Sequence, residues 1–173
     1  EPFSVGCKAA ESVHPAGKKC IIIGAGIIGL STAVMCKYFG AEKVMVIDFS
    51  DFRLENAAHY GILTCNPSKE DVDARVYSEF GEAMAYGGRK CRADVFFDCI
   101  GIQPCIDYFT KYGGFGATLV IVGNHDAKDP TFSANTVCFN QQYIKGCGML
   151  GLDKCTEYIC DMIRKGVDLS RLI

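Results

Sequence analysis

The stretch CIIIGAGIIG at residues 20–29 decides the fold prediction, because an apolar run, a glycine turn and a helical pattern follow one another there. Residues 20–23 are continuously apolar, which is typical of a fully buried strand. The glycines that follow predict a tight turn. From Ile27 onward, apolar residues recur at helical spacing until Gly40, a residue type that commonly ends helices. This stretch therefore predicts a strand, a turn and a helix in immediate succession.

The same alternation continues along the rest of the chain. Further strands are predicted at 44–48, 62–64, 95–99, 117–122 and 142–148. Helices are predicted at 5–12, 27–39, 75–86, 103–112 and 153–165, with one more beginning after Ser50. Parallel neighbouring strands need crossover connections, and right-handed crossovers place helices on both faces of a sheet. We therefore predict an α/β fold, a Rossmann-type doubly wound parallel sheet of about six strands with helices on both faces.

The composition is typical of one soluble globular domain. The 173 residues are 49% hydrophobic and 22% charged, so we predict a single domain over 1–173, in which residues 1–19 form a leading helix and hinge segment. The formal charge is −2, without the basic excess of a nucleic-acid-binding surface. No apolar run approaches the roughly 20 residues of a membrane span, and no signal peptide is recognisable. These patterns predict a cytoplasmic protein with neither a nucleic-acid nor a membrane partner.

The cysteines and histidines show no pattern of a catalytic or metal site. No C-x2-C pair occurs among the eleven cysteines, so we predict reduced thiols packed in the core. His14, His59 and His125 have no nearby nucleophile or carboxylate pattern, and solvated or capping roles are predicted for them. Tyr86 and Lys90 match a Y-x-x-x-K acid–base pair, but two intervening glycines disfavour the helix that such a pair requires. We predict neither a catalytic residue nor a metal ligand within this chain.

The turn GAGIIG has the pattern G-x-G-x-x-G, directly after a predicted strand and at the start of a predicted helix. Gly24 permits the tight turn, Gly26 lets a pyrophosphate approach the backbone, and Gly29 allows close packing of helix and strand. The amides of Ile27 and Ile28 would point at the phosphates, which the helix dipole also favours. The pattern predicts a dinucleotide-binding site.

Asp48 lies 19 residues beyond Gly29, at the end of the second predicted strand. A carboxylate at that position can accept hydrogen bonds from the ribose hydroxyls of NAD. It would also repel the 2′-phosphate of NADP, since two like charges about 4 Å apart interact by about 4 kcal/mol at an effective dielectric of about 20. The alternative for Asp48 is a helix-capping or solvated loop residue. The combined spacing predicts NAD as the cofactor.

Two families share this glycine pattern. Residues 24–33 (GAGIIGLSTA) are similar to FAD-dependent amine and amino-acid oxidases, which usually carry Glu after the second strand. This chain has Asp there, and residues 48–54 (DFSDFRL) resemble zinc-type medium-chain alcohol and polyol dehydrogenases. Residues 1–6 (EPFSVG), 93–101 (ADVFFDCIG) and 113–123 also resemble that family, sorbitol dehydrogenases in particular. The dehydrogenase resemblance covers nearly the whole chain in colinear order.

This resemblance implies which residues hold the cofactor. The glycine turn would cradle the pyrophosphate, and Asp48 and Arg53 would recognise the adenosine half. Backbone segments 99–101 and 122–124 would line the path from the adenine to the nicotinamide. Residues 146–148 would approach the nicotinamide end. The predicted cofactor-binding residues are Gly24, Gly26, Ile27, Ile28, Gly29, Asp48, Arg53, Cys99, Ile100, Gly101, Val122 and Gly123.

The resemblance further implies the NAD-binding domain of a zinc-dependent alcohol or polyol dehydrogenase. Such a domain would position the nicotinamide for hydride transfer from a secondary alcohol, while zinc would be held by a catalytic domain that this chain lacks. The domain alone would be inactive. The parent enzyme would be a homodimer or tetramer, with the sixth strand at a sheet edge. Two alternatives stay open, namely the nucleotide domain of an FAD-dependent amine or amino-acid oxidase and a non-catalytic dinucleotide-sensing module.

Overall fold

The computed structural model describes residues 2–125, 128–148 and 153–172. The strands are β1 (Lys19–Ile23), β2 (Lys43–Ile47), β3 (Leu63–Cys65), β4 (Glu82–Ala85), β5 (Gly88–Cys91), β6 (Val95–Asp98), β7 (Thr118–Ile121) and β8 (Tyr143–Gly146). The helices are α1 (Pro2–Glu11), α2 (Ile27–Tyr38), α3 (Asp51–His59), α4 (Val72–Phe80), α5 (Gln103–Tyr112), α6 (Ala134–Phe139), α7 (Asp153–Arg164) and a 3-10 turn (Ser170–Leu172). None of the helices in these ranges has the length and hydropathy to cross a membrane.

Six of these strands form one parallel sheet in the order β3-β2-β1-β6-β7-β8. In the middle of the sheet, Ile21 of β1 lies between Met45 of β2 and Phe96 of β6. The strand order reverses at β1, which is where doubly wound sheets open a crevice at the carboxyl ends of their strands. The predicted fold class is confirmed.

Two apolar layers cover the sheet, one on each face. Successive residues of a strand point to opposite faces, so Ile22 and Phe97 enter one layer, and Ile21 and Phe96 enter the other. Helices α1, α2, α3 and α7 contribute buried residues to the first layer, and α4 and α5 contribute to the second. The crevice therefore rests on a sheet that is packed from both sides.

The predicted helix 75–86 is wrong in its second half. Helix α4 ends at Phe80, because Gly81 adopts a φ of 76°. The chain then forms an antiparallel hairpin of β4 and β5, with Tyr86 and Gly87 as its turn. Gly87 and Gly88, the first residue of β5, have φ values of 85° and 103°. A left-handed backbone at these glycines cannot continue a right-handed helix, so the glycines decide against the helical pattern around them.

The segment between β7 and β8, for which the sequence predicted neither a strand nor a helix, contains the short helix α6. Ser133 caps this helix, since its hydroxyl accepts a hydrogen bond from the Thr136 amide. The buried Asn140 side chain accepts from the Tyr86 amide at 2.8 Å and donates to the Tyr86 carbonyl at 3.1 Å. The hairpin turn thus docks against the end of α6.

Most cysteines behave as small apolar residues. Seven of the eleven are buried, namely Cys7, Cys20, Cys36, Cys65, Cys91, Cys105 and Cys155. Burial raises the pKa of the Cys65 and Cys91 thiols to about 11. Such thiols are protonated and unreactive at neutral pH, which fits packing rather than chemistry.

Candidate functional site

Two glycines of the turn between β1 and α2 are required by the protein's own packing. Gly24 has a φ of 100°, a conformation that other residues rarely adopt. A Cβ atom on Gly29 would lie 1.9 Å from the carbonyl oxygen of Gly24. Glycine at both positions therefore lets α2 begin directly against the end of β1.

The protein's own packing does not require glycine at position 26. Its φ is −64°, and a Cβ atom there would meet no protein atom within 4 Å. The amides of Ile27 and Ile28 lie in the first turn of α2, which has no side-chain cap, and such amides point out of a helix N-terminus. The turn therefore leaves open space before an uncapped helix end, a combination that suits an oxyanion such as phosphate.

The Asp48 carboxylate lies against this turn. Its Oδ2 accepts a hydrogen bond from the Ala25 amide at 2.7 Å, and its Oδ1 accepts one from the Ser50 amide at 2.8 Å. The Arg53 guanidinium lies 4.0 Å from Oδ2. A fixed carboxylate, an arginine and an open helix N-terminus thus share one side of the crevice.

Asn66 braces the loop that carries these groups, a role that the sequence did not reveal. Its buried amide donates hydrogen bonds to the Phe49 carbonyl at 3.1 Å and to Asp51 Oδ1 at 2.8 Å. Hydrogen bonds from Lys69 and from Asn66 hold the pKa of Asp51 below its usual value. A single Asn after a short strand is too common to be singled out from sequence.

The loops after β6 and β7 pack against each other backbone to backbone. Gly101 has a φ of 87°, and a Cβ atom on it would lie 2.2 Å from the Asn124 carbonyl oxygen. A Cβ atom on Gly123 would lie 2.3 Å from the Gly101 amide nitrogen. Glycine at both positions lets the two loops form one continuous wall of the crevice. Val122 belongs to the second loop.

Cys99 differs from its neighbours in this wall. Its amide donates to the Ile23 carbonyl at 3.0 Å, and its Sγ lies 4.0 Å from Thr32 Oγ1 on α2. Burial raises the pKa of the Cys99 thiol to about 12. Its side chain therefore packs towards α2, and its backbone remains available to line the predicted path. Ile100, in contrast, exposes its side chain beside Gly24.

Gly146 and Gly148 lie at the carboxyl end of β8. A Cβ atom on either residue would meet no protein atom within 4 Å. The intervening Cys147 amide donates to the Ile121 carbonyl at 2.9 Å, which fixes this segment next to β7. The space before these glycines is open, and their approach to a nicotinamide stays a prediction.

The prediction for His125 is wrong. Its Nε2 lies 2.7 Å from Asp98 Oδ2, and the two side chains are only 9% and 0% exposed. Asp98 precedes His125 by 27 residues, so no local sequence pattern could reveal the pair. His14 is exposed, as predicted, and the exposed His59 lies 3.9 Å from Asp168.

Among the described residues, the other candidate side chains do not come together into a reactive site. Tyr86 lies in the hairpin turn, whereas the buried Lys90 on β5 donates to the Thr110 carbonyl at 2.6 Å. The described part of the chain contains no group of three or more His, Cys, Asp or Glu side chains that could hold a metal ion. The described walls of the crevice are formed largely by backbone, with the Asp48 and Ile100 side chains beside the glycine turn.

Comparison with known proteins shows the family to which this chain belongs. A family model described as zinc-binding dehydrogenase matches residues 28–165. This chain belongs to the zinc-binding dehydrogenase family. Within the family, sorbitol dehydrogenase 1 of Saccharomyces cerevisiae is 35% identical over 125 residues, which cover 71% of this chain and 34% of the yeast protein. The resemblance to polyol dehydrogenases is confirmed, and the FAD-dependent oxidase alternative is not favoured.

Solved structures show the same fold. The 2R,3R-butanediol dehydrogenase of Bacillus subtilis superposes with a TM-score of 0.82 at 23% identity, over 99% of this chain and 47% of that one. A zinc-binding dehydrogenase of Sinorhizobium meliloti 1021, bound to NADP, superposes with a TM-score of 0.76 at 22% identity. The superposition covers 99% of this chain and 49% of that one. This family member spans about half the length of those chains and about a third of the yeast relative.

Proposed function

We propose that this chain is the NAD-binding domain of a zinc-dependent alcohol or polyol dehydrogenase and that it acts in the cytoplasm. The observation that carries the proposal is the hydrogen bond from the Ala25 amide to Asp48, which holds a carboxylate beside the open N-terminus of α2. A ribose joined to a pyrophosphate matches this pair of groups, because its hydroxyls donate to a carboxylate and its phosphates bind helix N-termini.

Asp48 favours NAD over NADP. Two backbone amides hold its carboxylate in place, and its side chain is only 9% exposed. A 2′-phosphate within about 4 Å would be repelled by about 4 kcal/mol at an effective dielectric of about 20. Arg53 acts in the opposite direction, because a nearby arginine accommodates the 2′-phosphate in NADP enzymes. The Arg53 side chain is 56% exposed, whereas that of Asp48 is 9% exposed. Solvent and salt therefore screen the attraction between Arg53 and a 2′-phosphate more than the repulsion between Asp48 and that phosphate.

The contribution of this chain to the reaction is positional. Bound NAD accepts a hydride at its nicotinamide ring, and a dehydrogenase must hold that ring within reach of the alcohol carbon. The turn after β1 holds the pyrophosphate, Asp48 orients the adenosine ribose, and the loops after β6 and β7 face the other half. Because the described residues gather no metal ligand set, we assign no step in this chain to zinc. We expect the chain alone to bind NAD without oxidising an alcohol.

Calorimetric titration of the chain with NAD, NADP and FAD tests this proposal. We expect NAD to bind, NADP to bind at least about tenfold more weakly, and FAD not to bind. In Asp48→Asn the preference for NAD should shrink to less than about threefold, because the repulsive charge is gone. Glu55→Gln removes an exposed charge from the same helix region and is the matched control, with no change expected. Tighter binding of NADP, or no binding of either nucleotide, would contradict the assignment.

We also propose that two copies of the chain pair along β8. In the described part of the chain this strand lies at the sheet edge and is hydrogen-bonded on one side, to β7. Three large apolar side chains near this edge are exposed, those of Phe115, Phe139 and Tyr143. An unpaired edge beside exposed apolar groups favours pairing with another strand, and a second copy supplies a matching edge.

Light scattering during gel filtration tests the pairing. The wild type should have twice the chain mass of 18.8 kDa. Tyr143→Glu should shift the protein to monomer, because symmetric pairing brings two new charges close together. Ile163→Glu places the same charge on an exposed apolar site of α7 and should leave the mass unchanged. A wild type that is monomeric at every concentration would exclude the pairing.

A further inference from the structure

Asp98 and His125 form a buried pair beside the crevice. Asp98 is the last residue of β6, and His125 follows β7, so the pair joins neighbouring strands at their carboxyl ends. The donor and acceptor atoms are 2.7 Å apart, and Asp98 has no exposed surface. None of the contacts proposed for the adenosine half involves this pair.

Asp98 sets the course of the backbone in both loops. Its Oδ1 accepts hydrogen bonds from the Ile100 and Gly101 amides at 3.0 and 2.8 Å. Its main-chain carbonyl accepts hydrogen bonds from the Val122 and Gly123 amides at 3.0 and 2.8 Å. A shift of this one residue would therefore move both loops.

His125 Nε2 lies within hydrogen-bond distance of Asp98 Oδ2. The Cys105 thiol also lies beside Asp98, and burial, followed by the Asp98 charge, raises the pKa of that thiol. Without the His125 side chain, Asp98 Oδ2 would lose this hydrogen-bonding partner, and leaving a buried polar atom unsatisfied is costly. A carboxylate that turns to satisfy Oδ2 elsewhere would weaken the hydrogen bonds that its Oδ1 accepts from the Ile100 and Gly101 amides.

A second contact ties the loop after β7 to the same region. The Gln103 side chain donates to the Thr131 carbonyl at 2.8 Å and accepts from the Thr131 amide at 2.8 Å. Gln103 is the first residue of α5, directly after the loop that follows β6. The segment after β7 is therefore attached to the β6–α5 connection at His125 and again at Thr131.

We propose that His125 is a positioning residue for the nicotinamide half of NAD. This inference rests on the proposed function, because it takes the dinucleotide to lie across the crevice with its adenosine half at Asp48. The other half then lies over the loops after β6 and β7, whose shape depends on the Asp98–His125 pair. His125 acts through Asp98 and the loop backbone, without contact to the reacting carbon.

The test separates the two halves of the dinucleotide in the full 173-residue chain. NAD and ADP-ribose, which lacks the nicotinamide, are titrated into the wild type, His125→Ala and His125→Gln. His59→Ala is the control, because His59 is an exposed histidine that also faces a carboxylate, Asp168. NADH emission provides a second readout, since it reports the surroundings of the nicotinamide ring.

We expect His125→Ala to bind NAD about tenfold more weakly, while its affinity for ADP-ribose changes less than about twofold. The emission of bound NADH should fall towards that of free NADH. His125→Gln should recover NAD affinity to within about threefold of the wild type, because the Gln amide can donate to Asp98 from a similar position. His59→Ala should bind both ligands like the wild type.

Four outcomes would overturn the role of His125. Equal losses of NAD and ADP-ribose affinity would show a general structural role, and unchanged NAD affinity would show no role. If the wild type binds ADP-ribose and NAD equally well, the nicotinamide is not held, and the role of His125 fails while the nucleotide-binding function stands. A wild type that binds neither ligand would refute both proposals.

Discussion

At the scale of single residues, the three glycines of the turn after β1 serve different purposes. Gly24 and Gly29 are needed by the protein itself, one for its left-handed backbone and the other for its contact with a carbonyl oxygen. Gly26 has an ordinary φ and borders open space. Its lack of a side chain is useful to a ligand rather than to the fold.

This difference predicts opposite effects of two alanine substitutions. Gly26→Ala should change the free energy of unfolding by less than about 1 kcal/mol, because its φ suits alanine, but should weaken NAD binding by at least tenfold. Gly29→Ala should lower the free energy of unfolding by about 2 kcal/mol or more, because its Cβ meets backbone atoms that cannot move freely. Urea titration and calorimetry measure the two quantities. Normal NAD binding by a stable Gly26→Ala variant would show that the open space is not the phosphate site.

At the scale of elements, polar side chains attach distant pieces of backbone to one another. Asn140 attaches the β4–β5 hairpin to the end of α6 through two hydrogen bonds with the backbone of Tyr86. The Tyr86 and Phe139 rings pack beside this contact, with centroids 4.7 Å apart. The other end of the hairpin is held at β5, where the buried Lys90 donates to the Thr110 carbonyl and Cys91 packs in the core.

Asn140→Ala should therefore destabilise the protein by about 1–3 kcal/mol, because two backbone groups lose buried partners. Hydrogen exchange of the amides in the hairpin should accelerate more than exchange in the central strands. Asn135→Ala, on the exposed side of the same helix, is the control and should have little effect. Equal stability of the two variants would contradict the docking role of Asn140.

Helices α4 and α5 are joined by Asp73, whose carboxylate accepts hydrogen bonds from Lys111 and from the buried Tyr112 hydroxyl. These hydrogen bonds hold the pKa of Asp73 below its usual value of 3.8, and the bond from Lys111 has the larger effect. A carboxylate whose pKa is lowered by folding stabilises the protein above its unfolded pKa of about 4, and the contribution is lost as pH falls through the folded pKa.

The urea midpoint of the wild type should therefore fall more steeply below pH about 4 than that of Asp73→Asn, whose side chain does not titrate. Asp129→Asn, at an exposed position, should keep the wild-type dependence. Parallel curves for the wild type and Asp73→Asn would show that the contact contributes nothing to acid sensitivity.

At the scale of the whole molecule, the crevice lies where the two halves of the sheet diverge, so a bound dinucleotide contacts both halves. NAD at about 100 times its dissociation constant should stabilise the folded chain by about 2.7 kcal/mol. For a chain of this size the melting temperature should then rise by roughly 5–10 °C, measurable by differential scanning fluorimetry. The same concentration should shift Gly26→Ala much less. An equal shift in both proteins would place NAD elsewhere.

Much of the fold was predictable because its signals are local. Apolar runs, helical spacing and the glycine turn each lie within about 20 residues, and they predicted the six strands of the sheet. The hairpin was missed because the helical pattern before Gly81 outweighed the glycines after it. Helix α6 was missed because it is short and surrounded by polar residues.

The features of the candidate site likewise fall into those that the sequence predicts and those that only the structure shows. The amino-acid sequence by itself determined the strand–turn–helix unit, the open helix end and the carboxylate at the end of β2, because a parallel sheet always brings the ends of adjacent strands together. Only the tertiary structure decided the partners of Asp98, Asn66 and Asn140. Those contacts join segments that are separated in the chain and meet only once the strand order is formed, so no local pattern encodes them.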